Sequence, residues 1–388
     1  MDGSTGASHY PVIVLGGGTM GLAAAWDLGK RGIPALVLEQ FGIVHDRGSH
    51  SGQTRVIRHA YAESPEYVPL VRRADDLFVA LEAETGNHVL HRTGGLDLAG
   101  PGHDHARLAR LSAETWAVAF EWLDGAEVRH RYPAWTVPDD WEACFSPLSG
   151  FLHVDATLSS LAAAARQRGV EIRPHEAARS WHADGAGIRV ETDDATYTAD
   201  HLIVTAGAWA GQILAGCGLP LTVLRKVLWW FAVEDPAPFR AERFPVFISE
   251  SDAGHVYGFP LDAETFGQGL KLAEHSGGEL ADPDTLDRNA TDDEAALVAG
   301  FAATCLGGVT TRIERRAVCM YTMTPDQDFI IDRHPERSNV TFGAGFSGHG
   351  FKFATAVGEL LVNLALDPAA TPPPFLSLER FAVAAVEP

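Results

Sequence analysis

Cysteine is scarce in this chain. Its four residues, Cys144, Cys217, Cys305 and Cys319, are widely spaced and form no C-x-x-C pair. That excludes zinc-ribbon and thioredoxin-type sites, predicts neither a metal nor a disulfide framework, and fits a reducing cytoplasm. Basic residues are also short: 30 Lys and Arg stand against 51 Asp and Glu, a formal net charge of −21. Nucleic acid and anionic membrane surfaces need a positive patch and are therefore disfavoured as partners. No stretch approaches the roughly 20 apolar residues that span a bilayer. The opening Met1 to His9 has no Lys, no Arg and no apolar run, so it reads as a frayed polar leader rather than a secretory signal. Internal repeats and low-complexity tracts are absent too. With 388 residues, of which 46% are hydrophobic, a soluble protein of two domains is expected.

What is present begins at the N-terminus. Val12-Ile13-Val14-Leu15 is a continuous apolar run of the buried parallel-strand kind. Residues 20–31 read as a helix stopped by Gly32, and residues 34–38 as a second buried strand ending in Glu39. Between strand and helix, Gly16, Gly18 and Gly21 spell G-x-G-x-x-G. The first glycine permits a tight turn, the second a close approach to a pyrophosphate, and the third helix-on-strand packing. The helix N-terminus offers free N–H groups to the phosphates. Glu39, 18 residues past Gly21, is placed to accept from ribose hydroxyls. The pattern predicts a nucleotide cofactor without separating NAD from FAD. A pyridine-nucleotide-dependent flavin reductase usually carries two such fingerprints, and this chain has one.

Further along, residues 41–54 read as a loop, 65–85 and 106–123 as helices, and 94–98 as a strand. A second α/β stretch follows: helix 158–168, strand 170–172, a hairpin within 188–199, and strand 201–204 entering a glycine turn. Residues 222–275 are strand-rich and predict an antiparallel sheet; residues 339–343 and 354–366 read as a late strand and a closing helix. In the loop after the first βαβ unit, Arg55 and Arg58 are three apart and would share a face in a helical turn, suiting a carboxylate or an electron-rich ring. Spacing alone favours the plainer alternative, a solvated or salt-bridged pair.

The run from Ser49 to Tyr61 (SHSGQTRVIRHAY), Gly258-Phe259-Pro260, Gly269-Leu270-Lys271-Leu272, Ala317-Val318-Cys319-Met320-Tyr321-Thr322 and the run from Gly345 to Phe353 (GFSGHGFKF) resemble the monomeric sarcosine oxidase and N-methyltryptophan oxidase family of FAD-dependent amine oxidases. The similarity extends from Val12 to about Leu366. It implies an α/β fold of the D-amino-acid-oxidase type: a discontinuous Rossmann-like FAD-binding domain (10–90, 145–220 and 318–385) with an inserted antiparallel substrate domain (91–144 and 221–317).

The resemblance also implies roles. Read alone, Cys319 is a buried core thiol; by resemblance it carries FAD covalently through the flavin 8α-methyl group. Ser49, Thr54, Val170, Gly348 and Gly350 join the glycine fingerprint and Glu39 as cofactor-binding positions. Arg58 and Lys352 match the pair that clamps a substrate carboxylate, with Tyr257 beside them. Lys271 and Arg55 match cations on the opposite flavin face, Lys271 the lysine that speeds O₂ reduction. His275 and Tyr321 complete the catalytic set, although as bare residues they and Tyr257 read as packed aromatics or a surface histidine.

The implied reaction is oxidation of the C–N bond of a secondary α-amino acid to an imine, with O₂ reduced to hydrogen peroxide, by a cytoplasmic monomer. Three features depart from the family pattern and are expected near the cavity: a longer hairpin at 261–268, Glu274 beside His275, and the bulky Trp229-Trp230-Phe231. They leave open an oxidase or desaturase of a cyclic imino acid with the same cofactor. A nicotinamide-dependent dehydrogenase and a non-catalytic flavin-binding protein are the remaining alternatives.

Overall fold

The computed structural model describes residues 7–261 and 269–381. Residues 262–268 of the hairpin, and the ends of the chain, lie outside them. The polar leader is shorter than expected, because Ser8–Leu15 already forms a strand and Ser8 and His9 pair with Tyr197 and Thr198.

The apolar runs explain the first sheet. Its parallel strands, in spatial order, are Glu171–Pro174, Ala35–Glu39, Ser8–Leu15, Thr196–Val204 and Arg337–Ala344. Val12, Ile13, Val14, Leu36 and Val37 have no solvent exposure: Val12, Val14 and Val37 pack against helices Thr19–Lys30 and Ala354–Leu366, and Ile13 and Leu36 against Ile188 and Val190 on the other face. An antiparallel hairpin of Ala178–Asp184 and Gly187–Thr192 extends one edge, and Ile330–His334 pairs with Arg337–Ala344. The helices Thr19–Lys30 and Ala354–Leu366 pack closely through Gly358, where a Cβ would lie 2.5 Å from the Ala23 backbone.

Among the described residues the second sheet has nine strands, including Gly95–Ala99, Glu142–Ser146, Thr222–Val233, Val246–Ser251, Gly254–Gly258, Leu270–Glu274 and Val309–Met323. It is antiparallel except for one pair: Val246–Ser251 runs parallel to Gly95–Ala99. Val309–Met323 lies along Thr222–Val233, so Cys319 and Tyr321 belong to this sheet. A third, three-stranded sheet joins Thr54–Ile57, Gly150–His153 and Leu90–Arg92. Among the described residues no helix is long and apolar enough to cross a membrane.

Two local expectations fail for identifiable reasons. The helix read over 106–123 is His105–Thr115, followed by the strand Glu121–Asp124. Ala117 adopts φ +49°, outside helical geometry, and Trp122 then pairs with Cys144 across the second sheet. The Arg55–Arg58 segment is extended, so the two guanidiniums do not share a helical face.

Candidate active site

The glycine fingerprint folds as its spacing dictates. Gly16 has φ +97°, and its Cβ would lie 2.5 Å from the Thr205 carbonyl oxygen. A Cβ on Gly21 would fall 1.8 Å from the Gly16 oxygen, so Gly21 serves close helix-on-strand packing and does not line a cavity. Gly18 caps helix Thr19–Lys30; no side chain satisfies the free N–H groups there, the first turn carries no acid, and a Cβ on Gly18 would meet open space.

That helix start opens on a cavity of about 460 Å³, lined in part by Gly16, Gly18, Glu39, Ser49, Gly348 and Gly350. The Glu39 oxygens accept from the Gly17 and Phe41 N–H groups at 2.7 Å each, and a carboxylate oxygen so engaged retains a lone pair for another donor. Uncapped amides and an acid at the second strand, both on the cavity wall, fit the phosphates and ribose of a dinucleotide.

A smaller cavity adjoins the first, and Arg55, Tyr321, Gly348 and Phe351 line both. Its wall includes Arg58, Lys352, Tyr257, His275, His349 and Glu63. Strand alternation separates the cations: Arg55 donates to the Ser49, Ser51 and Thr54 carbonyls, while Arg58 turns to Glu63 and Asp97. Burial opposes the Arg58 charge, but Glu63 and then Asp97 outweigh it and hold the guanidinium protonated. Lys352 is buried, donates to the His349 carbonyl at 3.0 Å, and is pulled down to about 7 by burial and by Arg58. Burial also drives His275 well below its ordinary value and His349 to about 4, so both are neutral at neutral pH; His349 is already engaged, its Nε2 donating to the Gln327 carbonyl at 3.0 Å and its Nδ1 accepting from the Tyr61 hydroxyl. Tyr257 is pushed up to about 12 by burial and shares a hydrogen bond with Tyr321.

Lys271 lies behind the cavity wall. Its Nζ donates to the Gly52 carbonyl at 2.5 Å, the Thr54 carbonyl at 2.8 Å and Thr54 Oγ1 at 3.1 Å, over the Phe259 ring. Burial, then Arg55, lowers its pKa well below that of an ordinary lysine. Cys319 is also enclosed, 1% exposed, two residues from Tyr321 on the same strand face. Burial raises its thiol pKa, against the pull of Arg55, Lys271, Lys226 and Arg288.

Several expected positions fall elsewhere. Val170 is core, packed at Gly29, and Ala177, Ala178 and Arg179 of the following segment line the large cavity in its place. Thr54 lines neither cavity and serves Lys271. Glu274, Trp229, Trp230 and Phe231 are also absent from both walls. Trp229 and Phe231 are buried in the second sheet's core, Trp230 lies beneath Lys271, and Glu274 accepts from Ser276. Sequence reading missed Glu63, Asp97 and His349. His349 lay within a quoted motif, whereas the two acids had no local signal. It also missed Thr205–Trp209 as cavity wall, although ligands collect at the carboxyl ends of parallel strands.

Residues 11–364 match the FAD dependent oxidoreductase (DAO) family model. The chain belongs to that family. Monomeric sarcosine oxidase from Bacillus sp. (strain B-0618) is 40% identical over 367 residues, covering 93% of each chain. N-methyl-L-tryptophan oxidase from Yersinia pestis (strain Pestoides F) is 36% identical over 378 residues, covering 96% of this chain and 99% of the relative. Among solved structures, NikD, an unusual amino acid oxidase essential for nikkomycin biosynthesis, superposes with a TM-score of 0.84 at 22% identity over 96% of this chain and 98% of that one. L-proline dehydrogenase from P. horikoshii gives 0.81 at 22% identity over 97% and 99%. At that identity the structures speak for the DAO-type fold alone. This family member is therefore an FAD-dependent oxidoreductase.

Proposed function

We propose that this oxidoreductase is an oxidase of secondary α-amino acids of the sarcosine or N-methyl amino acid type, converting the C–N bond to an imine with reduction of O₂ to hydrogen peroxide. The observation that carries this reading is the convergence of Arg58 and Lys352 on a small cavity that joins the large cavity, the proposed FAD site, at Arg55, Tyr321, Gly348 and Phe351. Two cations at one end bind the substrate carboxylate, which fixes the α-amine toward the cofactor side by positioning. The same cations disfavour the ammonium form of the amine, and the neutral His275 lines the same cavity. Tyr257, Ile248 and Phe351 exclude water around the N-substituent. FAD, when bound, accepts two electrons from the amine and passes them to O₂. Water then hydrolyses the imine, giving formaldehyde and a primary amino acid when the substituent is methyl.

Within this reading Cys319 carries the 8α-S-cysteinyl link; burial raises its thiol pKa, and Arg55, Lys271, Lys226 and Arg288 offset only part of that toward the thiolate such a bond needs. Lys271 and Arg55 act on the other side of the cofactor, where positive charge assists electron transfer to O₂. The enzyme works as a monomer, with segments 10–90, 145–220 and 318–385 assigned to FAD binding and 91–144 and 221–317 to substrate.

The test is a panel of N-methyl and cyclic amino acids supplied to the purified holoprotein, with peroxide and formaldehyde both assayed. Equal amounts of the two from N-methyl amino acids support the proposal. Peroxide from cyclic substrates alone, with no formaldehyde, overturns it in favour of an imino-acid oxidase.

A further inference from the structure

Arg58 is shared between two carboxylates of different standing. Its Nη2 donates to both oxygens of Glu63 at 2.5 Å, and its Nη1 to Asp97 Oδ1 at 3.1 Å. Glu63 stands in the cavity wall with its side chain 24% exposed, whereas Asp97 is 2% exposed and lines neither cavity. Asp97 sits mid-strand in Gly95–Ala99, in register with Ile248 of the wall. The same Oδ1 also accepts from His105 Nε2 at 2.9 Å, at the first residue of helix His105–Thr115. The Tyr61 ring supports the guanidinium at 4.5 Å, and Arg58 Nε has no hydrogen-bond partner among the described residues.

Arg58 and Lys352 together face two carboxylates before any ligand arrives, so the site has no surplus positive charge for a third carboxylate unless one of the two is displaced. Glu63, at the wall, can give up its place. Asp97, sealed between sheet and helix and held by His105, cannot. Substrate and product amino acids carry the same carboxylate, so a grip tight on one retains the other without helping the chemical step.

We propose that Asp97, held by His105, is a positioning residue that keeps the Nη2 edge of Arg58 turned to the cavity while its charge weakens the grip of that edge on carboxylates. This rests on the carboxylate-binding role of Arg58 proposed above. Because Arg58 and His105 both bond to Oδ1, Asp97→Asn can keep both contacts and remove only the charge. Asp97→Leu removes the contacts as well, leaving Arg58 to Glu63.

The experiment titrates the holoprotein with acetate and with its neutral isostere acetamide, reading perturbation of the visible flavin spectrum. Asp97→Asn is expected to bind acetate about fivefold more tightly, the scale of relieving a like-charge neighbour. Asp97→Leu is expected to bind it more weakly than the unsubstituted protein, with acetamide unchanged in both variants. Acetate binding by Asp97→Asn that is unchanged or weaker overturns the proposal, and that variant decides alone if Asp97→Leu does not fold. Equal binding of acetate and acetamide by the unsubstituted protein refutes the carboxylate role of Arg58 itself, and the proposal with it.

Discussion

Lys352 is the residue whose titration is easiest to follow. Burial and the neighbouring Arg58 place its pKa at about 7, while a bound carboxylate favours the charged form. Below pH 7 the ammonium is already present and carboxylate affinity is level. Above pH 7 each binding event must take up a proton, so affinity falls by up to about tenfold per pH unit. Acetate, which has no amine of its own to titrate, should show this decline in a spectral titration from pH 6 to pH 9. Lys352→Met should bind acetate more weakly and with a flat profile over that range. Cys319 offers a second prediction: after acid precipitation the yellow colour should stay with the protein, and Cys319→Ser should release it to the supernatant. The roles of such residues were legible only through motifs. A lone Cys, Tyr or His between strands carries no chemistry in its spacing, and Glu63 and Asp97 reach Arg58 only because 5 and 39 residues of chain fold back on it.

Elements with continuous apolar runs were readable because burial on both faces leaves little choice of residue. That is why the strands carrying Val12 and Val37, and helix Ala354–Leu366, stand within a few residues of where they were expected. Short segments whose form depends on distant partners were not readable. The stretch around Arg55 carries helix-compatible spacing, yet it pairs with Gly150–His153. Extended geometry gives the two guanidiniums different partners, Arg55 the Ser49 and Ser51 carbonyls and Arg58 the Glu63 and Asp97 carboxylates, while both still line the small cavity. The Gly345–Phe353 turn is similarly tied to its partner strand. Gly348 has φ +80°, and a Cβ there would lie 2.3 Å from the Tyr321 ring. Gly348→Ala should therefore cost roughly 1–3 kcal/mol through backbone strain and displace Tyr321. The expected result is a lower thermal midpoint together with a loss of turnover, whereas a normal midpoint and normal activity would contradict this placement.

Across the whole molecule, the first sheet supplies an uncapped helix start and an acid to the large cavity, and the second brings the strand carrying Tyr321 to its wall, with Cys319 enclosed two residues away. The small cavity exists only where these parts converge, so its outline could not be read from any one segment. Composition spoke at this scale too: a chain of net charge −21 must recruit an anion through local cations, and Arg58 and Lys352 are in that place. The most direct measurement is anaerobic mixing of the purified yellow protein with sarcosine and, separately, with N-methylethanolamine, which keeps the secondary amine and lacks the carboxylate. The account predicts rapid loss of flavin colour with sarcosine, little with the alcohol, and return of colour with peroxide once air is admitted. Equal bleaching by both amines, or none by any N-methyl amino acid, would contradict it.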